Sequence, residues 1–304
     1  MRRLETALDH QSLPTPFFAI LIGVTLVGIL VAGLRLVSDR SDVLVDFSTS
    51  PLLGDRLESL LVSGDAGMTV LVGTHGATAL SRDGGRTLTR CPALDGFDAD
   101  VSSGTASGQH MIVAGLMGAM RSDDLGKTWR EVAATLPVHV VDAVALDARA
   151  PDSLVVSTAG SGIYASDDGG AMWSRLTAPP ADPTGSGVLR GRTILLPVLP
   201  TGLVRSVDGG AHWSLAARDA GGTLLAADPH DSARLLLSGS GLLFVSSDGG
   251  ASWQQQPIPD GAQLVTAAND GSLVAAGFTA DQHALIWRSY DRGETWQSVL
   301  AEPH

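Results

Sequence analysis

The chain has 304 residues, of which 44% are hydrophobic, with 36 glycines and 15 prolines, a composition that suits one large all-β domain. Its formal net charge is −12 and it has no cluster of basic residues, which argues against nucleic acid as a partner and against charge-driven docking on anionic lipid. The single cysteine, Cys91, excludes an internal disulfide, and we expect it to be a small buried residue at the end of a strand.

The N-terminal part contains an apolar run that is long enough to cross a bilayer. Residues 17–34 form an uncharged stretch of 18 residues. As a helix it would be about 27 Å long, close to the thickness of the hydrocarbon layer. A cleaved signal peptide fits less well, because its apolar part usually has about 7–15 residues before a small-residue cleavage site. We therefore predict an N-terminal arm at 1–16 and one transmembrane helix at 17–37.

The charges that flank this anchor bear on its orientation. Arg2 and Arg3 precede the apolar run, and Arg35 and Arg40 follow it, so the distribution of basic residues is balanced. The amino terminus adds a positive charge on the N-terminal side and favours that side as cytoplasmic.

Residues 38–55 are predicted to link the anchor to the main domain. Within them, residues 42–47 alternate in polarity like a strand. This segment either pairs with the last repeat near residues 296–300 or lies as an ordered linker against the domain.

The rest of the chain, residues 56–304, repeats an eight-residue pattern, S-x-D-x-G-x-x-W, six times. The third-position aspartates are separated by 41, 44, 40, 40 and 43 residues, and Leu88 replaces Trp in the first octet. A fixed period of this length indicates a stacked or radial repeat architecture. The repeated residues are Ser81, Asp83, Gly85, Ser122, Asp124, Gly126, Trp129, Ser166, Asp168, Gly170, Trp173, Ser206, Asp208, Gly210, Trp213, Ser246, Asp248, Gly250, Trp253, Ser289, Asp291, Gly293 and Trp296.

Each octet lies between two segments that read as short strands. In the fifth repeat these are residues 241–247 and 252–256, and two further strand candidates, 222–227 and 234–238, precede them. Four strands in about 40 residues is the layout of one propeller blade. Six repeats therefore predict six blades.

The octet residues have the chemistry of a tight turn. Asp accepts hydrogen bonds from backbone N–H groups two residues on, and Gly supplies a positive φ. The Ser hydroxyl adds a local bond, and the Trp covers the turn while its N–H finds a partner. We interpret all 23 residues as structural.

The octet resembles the Asp-box (BNR) repeat of sialidases, sortilin-type receptors, some glycoside hydrolases and the photosystem II stability/assembly factors. The resemblance covers about residues 56–299. It implies an all-β, six-bladed β-propeller of four-stranded antiparallel blades with Asp-box turns, preceded here by one N-terminal transmembrane helix. In these families the box lies on the blade rim and the propeller is usually extracytoplasmic. Together with the predicted anchor and its orientation, the resemblance implies an inner-membrane protein with a periplasmic propeller. The resemblance carries no activity by itself.

Sialidases, which share this fold, require an arginine triad, a tyrosine nucleophile paired with a glutamate, and an Arg-Ile-Pro-type motif that this chain lacks. The only tyrosines are Tyr164 and Tyr290, and Glu58 is the one glutamate placed to face a central pocket. Aspartates are abundant, so a glycosidase pair stays open, but no pair stands out. We expect no enzymatic activity and assign no catalytic residue.

We also expect no metal and no cofactor. The eight histidines are scattered, and the octet glycines do not continue into a phosphate-binding motif. Asp95, Asp98 and Asp100 could bind Ca²⁺, but their spacing lacks the order of a calcium loop and favours a solvated acidic loop.

The leading hypothesis is a non-catalytic, membrane-anchored propeller that serves as an accessory, scaffold or assembly subunit of a membrane protein complex, photosynthetic or respiratory. Its expected partners are subunits of that complex and the bilayer through residues 17–37. The photosystem II assembly factors have seven blades, whereas six are predicted here. The alternative is a glycan-binding or glycoside-hydrolase-like propeller. A sortilin-like peptide receptor fits least, because no cysteine-rich module follows the sixth octet.

Overall fold

The computed structural model describes residues 56–74, 76–94, 96–97, 101–200, 202–279 and 283–299. This part of the chain consists of β-strands and loops, with two short 3₁₀ helices at Asp65–Gly67 and Pro92–Leu94. None of its helices is long and apolar enough to cross a membrane. The predicted arm, anchor and linker all fall in residues 1–55, outside the described residues.

The described strands, β1 to β24, group into six units of four, and each strand pairs antiparallel with the next in its unit. Units 1 to 3 consist of β1 Leu57–Ser63, β2 Thr69–Thr74, β3 Ala77–Ser81, β4 Thr89–Arg90, β5 Val101–Ser107, β6 His110–Gly115, β7 Gly118–Ser122, β8 Arg130–Glu131, β9 Val141–Asp147, β10 Ala150–Thr158, β11 Gly162–Ser166 and β12 Ser174–Arg175. Units 4 to 6 consist of β13 Gly185–Arg190, β14 Thr193–Pro197, β15 Leu203–Ser206, β16 Ser214–Ala216, β17 Leu224–Ala227, β18 Leu235–Gly239, β19 Leu242–Ser246, β20 Gln254–Gln256, β21 Ala262–Ala267, β22 Leu273–Phe278, β23 Ala284–Ser289 and β24 Gln297–Ser298.

Burial falls from the second strand of a unit to the fourth. β2 and β22 are buried at every position, because neighbouring units cover both faces of the sheet. The outer strands have only two or three residues and are largely exposed, as in β24. The second strands are therefore built mainly of apolar and small residues. The short outer strands limit the length of exposed edge on each sheet.

The six units meet through their first strands. β13 pairs in parallel with both β9 and β17, so units 3 to 5 run on as one twelve-stranded sheet. The first strands of the other units contact their neighbours, and β21 contacts β1. The Leu57 backbone N–H also donates to Gln263 Oε1 at 2.6 Å. This is the arrangement of a β-propeller, and the predicted all-β fold of four-stranded antiparallel sheets is confirmed.

The hydrophobic core lies between adjacent units. One cluster joins Leu60 and Val62 of unit 1 to Leu264 and Ile286 of unit 6. Cys91 directly follows β4 and is buried in another cluster, as expected of a small residue at the end of a strand.

The strand order gives the propeller two faces. In an antiparallel four-stranded unit, the first-to-second turn and the third-to-fourth turn lie at the same end. The octets are the third-to-fourth turns, so we call this end the octet face. The opposite end carries the starts of the first strands and the second-to-third turns, and we call it the strand-start face.

Candidate functional site

The six octets share one pattern of hydrogen bonds, which the fifth octet illustrates. Ser246 Oγ donates to Asp248 Oδ1 at 2.8 Å and accepts the Gly250 N–H at 2.8 Å. Asp248 Oδ1 accepts the Ser252 N–H at 2.9 Å. The equivalent three bonds are 2.7 to 2.9 Å long in the other octets.

The prediction that each octet aspartate accepts a hydrogen bond from the backbone N–H two residues on is wrong. The aspartate reaches the N–H four residues on, because the turn folds the chain back over the carboxylate. The serine hydroxyl takes the nearer contact instead, as in Asp248 N–H to Ser246 Oγ at 3.3 Å. The serine is thus the centre of the turn, and it is buried in every octet.

The fourth octet position lies in the left-handed region of φ. Gly249 has φ 73°, and two non-glycine residues, Leu125 and Arg292, have φ 62° and 63°. In the first five octets the N–H at this position donates across the octet face to the first-to-second turn of the same unit, as in Gly249 to Ala233 O at 2.8 Å. Positive φ costs a non-glycine residue conformational energy, so these two octets are strained relative to the other four.

Hydrogen bonding keeps the octet aspartates ionised. The Thr128 hydroxyl, then its backbone N–H, lower the pKa of Asp124 to about 2. The Thr295 hydroxyl and N–H lower the pKa of Asp291 to about 2 in the same way. The pKa of Asp168 is also lowered, by the Met172 N–H first. Carboxylates that stay ionised at neutral pH are acceptors in a turn and poor general acids.

The other three octet aspartates follow the same trend. The pKa of Asp208 lies well below its usual range because of the backbone N–H and imidazole of His212. That of Asp248 is lowered by the Ser252 hydroxyl and N–H. Burial raises the pKa of Asp83, but hydrogen bonds from the turn outweigh it and the net direction is down.

The octet tryptophans differ in what their indole N–H contacts. Trp129 and Trp253 donate to the glycine carbonyl three residues before them, at 3.3 and 3.2 Å. Trp173 donates at 2.9 Å to Val132 O of the preceding unit. In the part of the chain that the structure describes, the buried N–H groups of Trp213 and Trp296 have no hydrogen-bond partner. The expectation of a partner for each indole is therefore met in only three octets.

The octets also contact the unit before them. A Cβ added to Gly210 would lie 2.5 Å from Leu176 Cδ1, and one on Gly170 would lie 2.6 Å from Val132 Cβ. Only glycine leaves room for these contacts at the fifth octet position. Carbonyls of the octets accept bonds from preceding units as well, for example Leu125 O from Arg82 at 3.1 Å.

A buried arginine that the sequence did not single out joins units 2 and 3. Arg121 Nε donates to Asp123 at 2.7 Å, and its terminal nitrogens donate to Pro151 O at 2.8 Å and to Asp152 at 2.9 Å. His110 Nδ1 lies 2.7 Å from Asp123. Burial raises the pKa of Asp123, but the bonds from His110 and Arg121 bring it below the usual value. In the sequence, Arg121 could have been recognised only by its position directly before an octet serine, Ser122.

The residues considered for catalysis are not brought together. Glu58 is half-buried on β1, and Tyr164 is buried on β11 with its hydroxyl near Ser161 at 3.1 Å. Tyr290 is exposed in the sixth octet. Residues 95, 98 and 100, considered for calcium, lie outside the described residues. Among the residues that are described, no group of three or more His, Cys, Asp or Glu side chains is placed to hold a metal ion.

The strand-start face carries exposed apolar side chains at the tips of its turns. Leu116 and Met117 form the β6–β7 turn and are 50% and 55% exposed. Leu199 in the β14–β15 turn is 59% exposed, and Leu242 follows the β18–β19 turn at 41%. These tips belong to units 2, 4 and 5.

A cavity of about 460 Å³ opens at the start of β1 on the strand-start face. Its lining combines the Arg56 guanidinium with apolar Leu57, Leu264 and Phe278, and with the Gln263 amide. A small ligand with an apolar body and one anionic group matches this lining. The cavity draws on units 1, 5 and 6, so no local sequence pattern could reveal it.

Two carboxylates lie near each other on the same face. Asp142 is half-buried at the start of β9, and Asp182 is exposed before β13. Burial, and then the charge of Asp182, raise the pKa of Asp142.

No protein-family model and no curated protein matches the chain. Among solved structures it is similar to the GH74 xyloglucanase from Xanthomonas campestris, with a TM-score of 0.52 and 17% identity over 81% of this chain and 45% of that chain. It is equally similar to PorZ of the Porphyromonas gingivalis type-IX secretion system, with a TM-score of 0.52 and 17% identity over 82% of this chain and 32% of that chain. YCF48 bound to D1 peptide matches with a TM-score of 0.46 and 17% identity over 62% of each chain.

These similarities bear on the fold. The xyloglucanase and PorZ matches support a β-propeller, and their low identity carries nothing further. The YCF48 match has too low a TM-score to carry an argument. The chain spans less than two-thirds of the length of each of these three structures.

Proposed function

We propose that this chain is a non-catalytic, membrane-anchored, six-bladed propeller of the Asp-box type that serves as an accessory or assembly subunit of a membrane protein complex. Its propeller stands on the extracytoplasmic side, and the complex is photosynthetic or respiratory. Six four-stranded units and the contact between β21 and β1 support six blades. The shared hydrogen bonds of the six turns support the Asp-box assignment.

The observation that carries the proposal is how the polar side chains are used. The octet serines and aspartates bond to their own turns, and Arg121 bonds between units, so these groups are occupied by the fold. What is left exposed is a set of loop tips on two broad faces. Such surfaces suit docking between macromolecules better than chemistry on a small substrate.

The apolar run of residues 17–34 supports a membrane location for this docking. It contains no charged residue over 18 positions. A propeller held at a bilayer meets membrane-protein partners at a high effective concentration, so each contact can be weak.

The proposal is tested by extraction of the full chain from its native membranes in a mild detergent, followed by identification of the subunits that co-purify. We expect a defined set of integral membrane subunits at fixed stoichiometry. A matched control is the chain extracted in a harsh detergent, which should release the same partners. Recovery only as a monomer under mild conditions would contradict an accessory role.

The carboxylates Asp142 and Asp182 favour one alternative, a glycan-active propeller. A half-buried carboxyl with a raised pKa next to a second carboxylate is the arrangement that a glycosidase uses for its general acid. Both groups lie on the strand-start face, away from the octets. On this alternative, Asp142 would protonate the leaving group and Asp182 would act as base or nucleophile.

The two proposals are separated by assays of the full chain on glucans and sialosides. The docking proposal expects no turnover above that of the Asp142→Asn variant. Turnover that disappears in Asp142→Asn, while an exposed control such as Asp260→Asn keeps it, would favour the alternative.

A further inference from the structure

The cavity at the start of β1 lies where the last unit of the propeller meets the first. Units 3 to 5 are joined by parallel pairing of their first strands, β9, β13 and β17. In the part of the chain that the structure describes, the first strands of units 5, 6 and 1 form no such ladder. They contact each other through side chains and single hydrogen bonds. Strands that do not pair can diverge, and the cavity occupies the space between them.

The floor of this cavity is apolar. Leu57, Leu264 and Phe278 are 4%, 1% and 7% exposed, and all three belong to the core cluster that joins units 1 and 6. The volume of about 460 Å³ falls in the range of about 300–1,000 Å³ that small-molecule sites occupy. A ligand seated there would place an apolar body against these side chains and remove it from water.

The rim of the cavity is polar, and part of it is already bonded within the fold. The Gly241 N–H donates to Gln263 O at 3.2 Å, and the Leu57 N–H donates to Gln263 Oε1 at 2.6 Å. Arg56 is exposed and is the one charged residue among those that line the cavity in the described part of the chain. Within that part, its guanidinium forms no hydrogen bond and no ion pair. An anionic group is the partner that it lacks, and a carboxylate fits the planar guanidinium in a bidentate way.

We propose that this cavity binds a small monocarboxylate with an apolar body, of the arylalkanoic acid type, with its carboxylate at Arg56 and its body against Leu264 and Phe278. The inference goes beyond the proposed function and holds for the chain alone or in a complex. A glycan matches the cavity poorly, because its hydroxyl groups would face apolar side chains that offer no hydrogen bonds. The bound acid would contact units 1, 5 and 6 together, so its binding to the folded state would stabilise the closed ring.

The test measures binding of fluorine-labelled phenylbutyrate to the full chain in a nonionic detergent, by the broadening of its fluorine NMR signal. Empty micelles correct for partition of the probe into detergent. The corresponding amide removes the charge and keeps the apolar body. Glucuronate, added as an unlabelled competitor, keeps the carboxylate and removes the apolar body.

Two variants locate the site. Arg56→Gln removes the guanidinium at an exposed position, so the fold should be unaffected. Its matched control is Arg218→Gln, which replaces an exposed arginine of the same face that lies outside the lining of the cavity. Thr223→Phe fills the cavity from a half-buried position of its lining. Should Thr223→Phe fail to fold, as judged by urea unfolding, the comparison of the two arginine variants decides alone.

We expect the acid to bind the wild type about fivefold more tightly than the amide, which is the upper range for an exposed ion pair. Arg56→Gln should abolish this preference, and Arg218→Gln should keep it. Folded Thr223→Phe should weaken binding of both compounds. The inference would be overturned by equal binding of acid and amide, by equal losses in the two arginine variants, or by no saturable binding at all. Displacement of the probe by glucuronate would overturn it in favour of a sugar acid.

Discussion

The octet face and the strand-start face are built from the same strands, but only the octet face repeats its residues from unit to unit. On the octet face, Ser246 is 1% exposed and makes bonds to Asp248 and Gly250 within its own turn. On the strand-start face, Met117 and Leu199 are more than half exposed at the tips of their turns. Repeated residues therefore mark where this fold is held together, and non-repeated residues mark where it can vary.

This contrast matters for assigning function in repeat proteins. The six octets are the most prominent pattern of the chain, yet their serine and aspartate side chains bond within their own turns. The cavity beside Arg56, the carboxylates Asp142 and Asp182, and the apolar tips all lie on the face that has no sequence signature. Substitutions should therefore change stability on the octet face and interactions on the strand-start face.

The largest effect is expected from Ser246→Ala. The change removes the acceptor of the buried Gly250 N–H and the donor to Asp248, and an unsatisfied buried donor costs about 2 kcal/mol of unfolding free energy. The neighbouring Ser247→Ala, at an exposed variable position of the same octet, is the control and should change stability by less than about 0.5 kcal/mol. Urea unfolding measures both. Equal losses of stability in the two variants would contradict a stabilising role of the hydrogen bonds that Ser246 makes.

A gain is expected from Arg292→Gly. Arg292 holds φ 63° and is exposed, so glycine relieves the strain of about 1 kcal/mol without loss of a buried contact. The reverse change, Gly249→Ala, is the control, because a Cβ there meets no atom within 4 Å and its cost is conformational alone. Chemical denaturation should show shifts of similar size and opposite sign. A loss of stability in Arg292→Gly would mean that its side chain contributes more than the strain costs.

A smaller gain is expected from Met172→Thr. In the other octets that have a hydroxyl or imidazole at the seventh position, this group bonds to the second aspartate oxygen, as in Ser252 Oγ to Asp248 Oδ2 at 2.6 Å. Met172 lacks such a group, so threonine should add one exposed hydrogen bond to Asp168 and raise Tm by about 1–2 °C. Ser252→Ala should lower Tm by a similar amount. An unchanged Tm in both variants would show that this bond is matched by water.

The pH dependence should also come from the octet face. Because the folded-state pKa of Asp124 is lowered to about 2, its contribution to stability is present above the unfolded value near 4 and is lost as pH falls to about 2. Asp124→Asn should therefore flatten the fall of the urea midpoint between pH 4 and pH 2. Asp182→Asn on the strand-start face should leave that slope as it is. A parallel fall in the wild type and in Asp124→Asn would contradict an ionised turn acceptor.

The fold could be predicted from the chain because its determinants are local. Strand-forming runs and turn residues recur within about 40 residues, and this alone implies four-stranded antiparallel sheets. The bonds between units could not be predicted. Arg121 and Asp152 are 31 positions apart, and only the packing of unit 2 on unit 3 brings them to 2.9 Å.

Details of the turns were also beyond local reasoning. The aspartate contact four residues on depends on how tightly the turn closes, which the residue types do not specify. Leu125 and Arg292 adopt a positive φ although non-glycine residues favour a negative one, because the octet turn imposes this conformation. Met117 is exposed at the tip of the β6–β7 turn, whereas Met111 is completely buried within β6, where it packs against unit 1.

The smallest effect on stability is expected at the apolar tips. Leu116→Ala and Met117→Ala remove side chains that are already half exposed, so the lost burial is minor and the free energy of unfolding should change by less than about 0.5 kcal/mol. Urea unfolding of the full chain in detergent measures both variants. A loss of 1 kcal/mol or more would mean that the tips belong to the core, and the division of roles between the two faces would then fail.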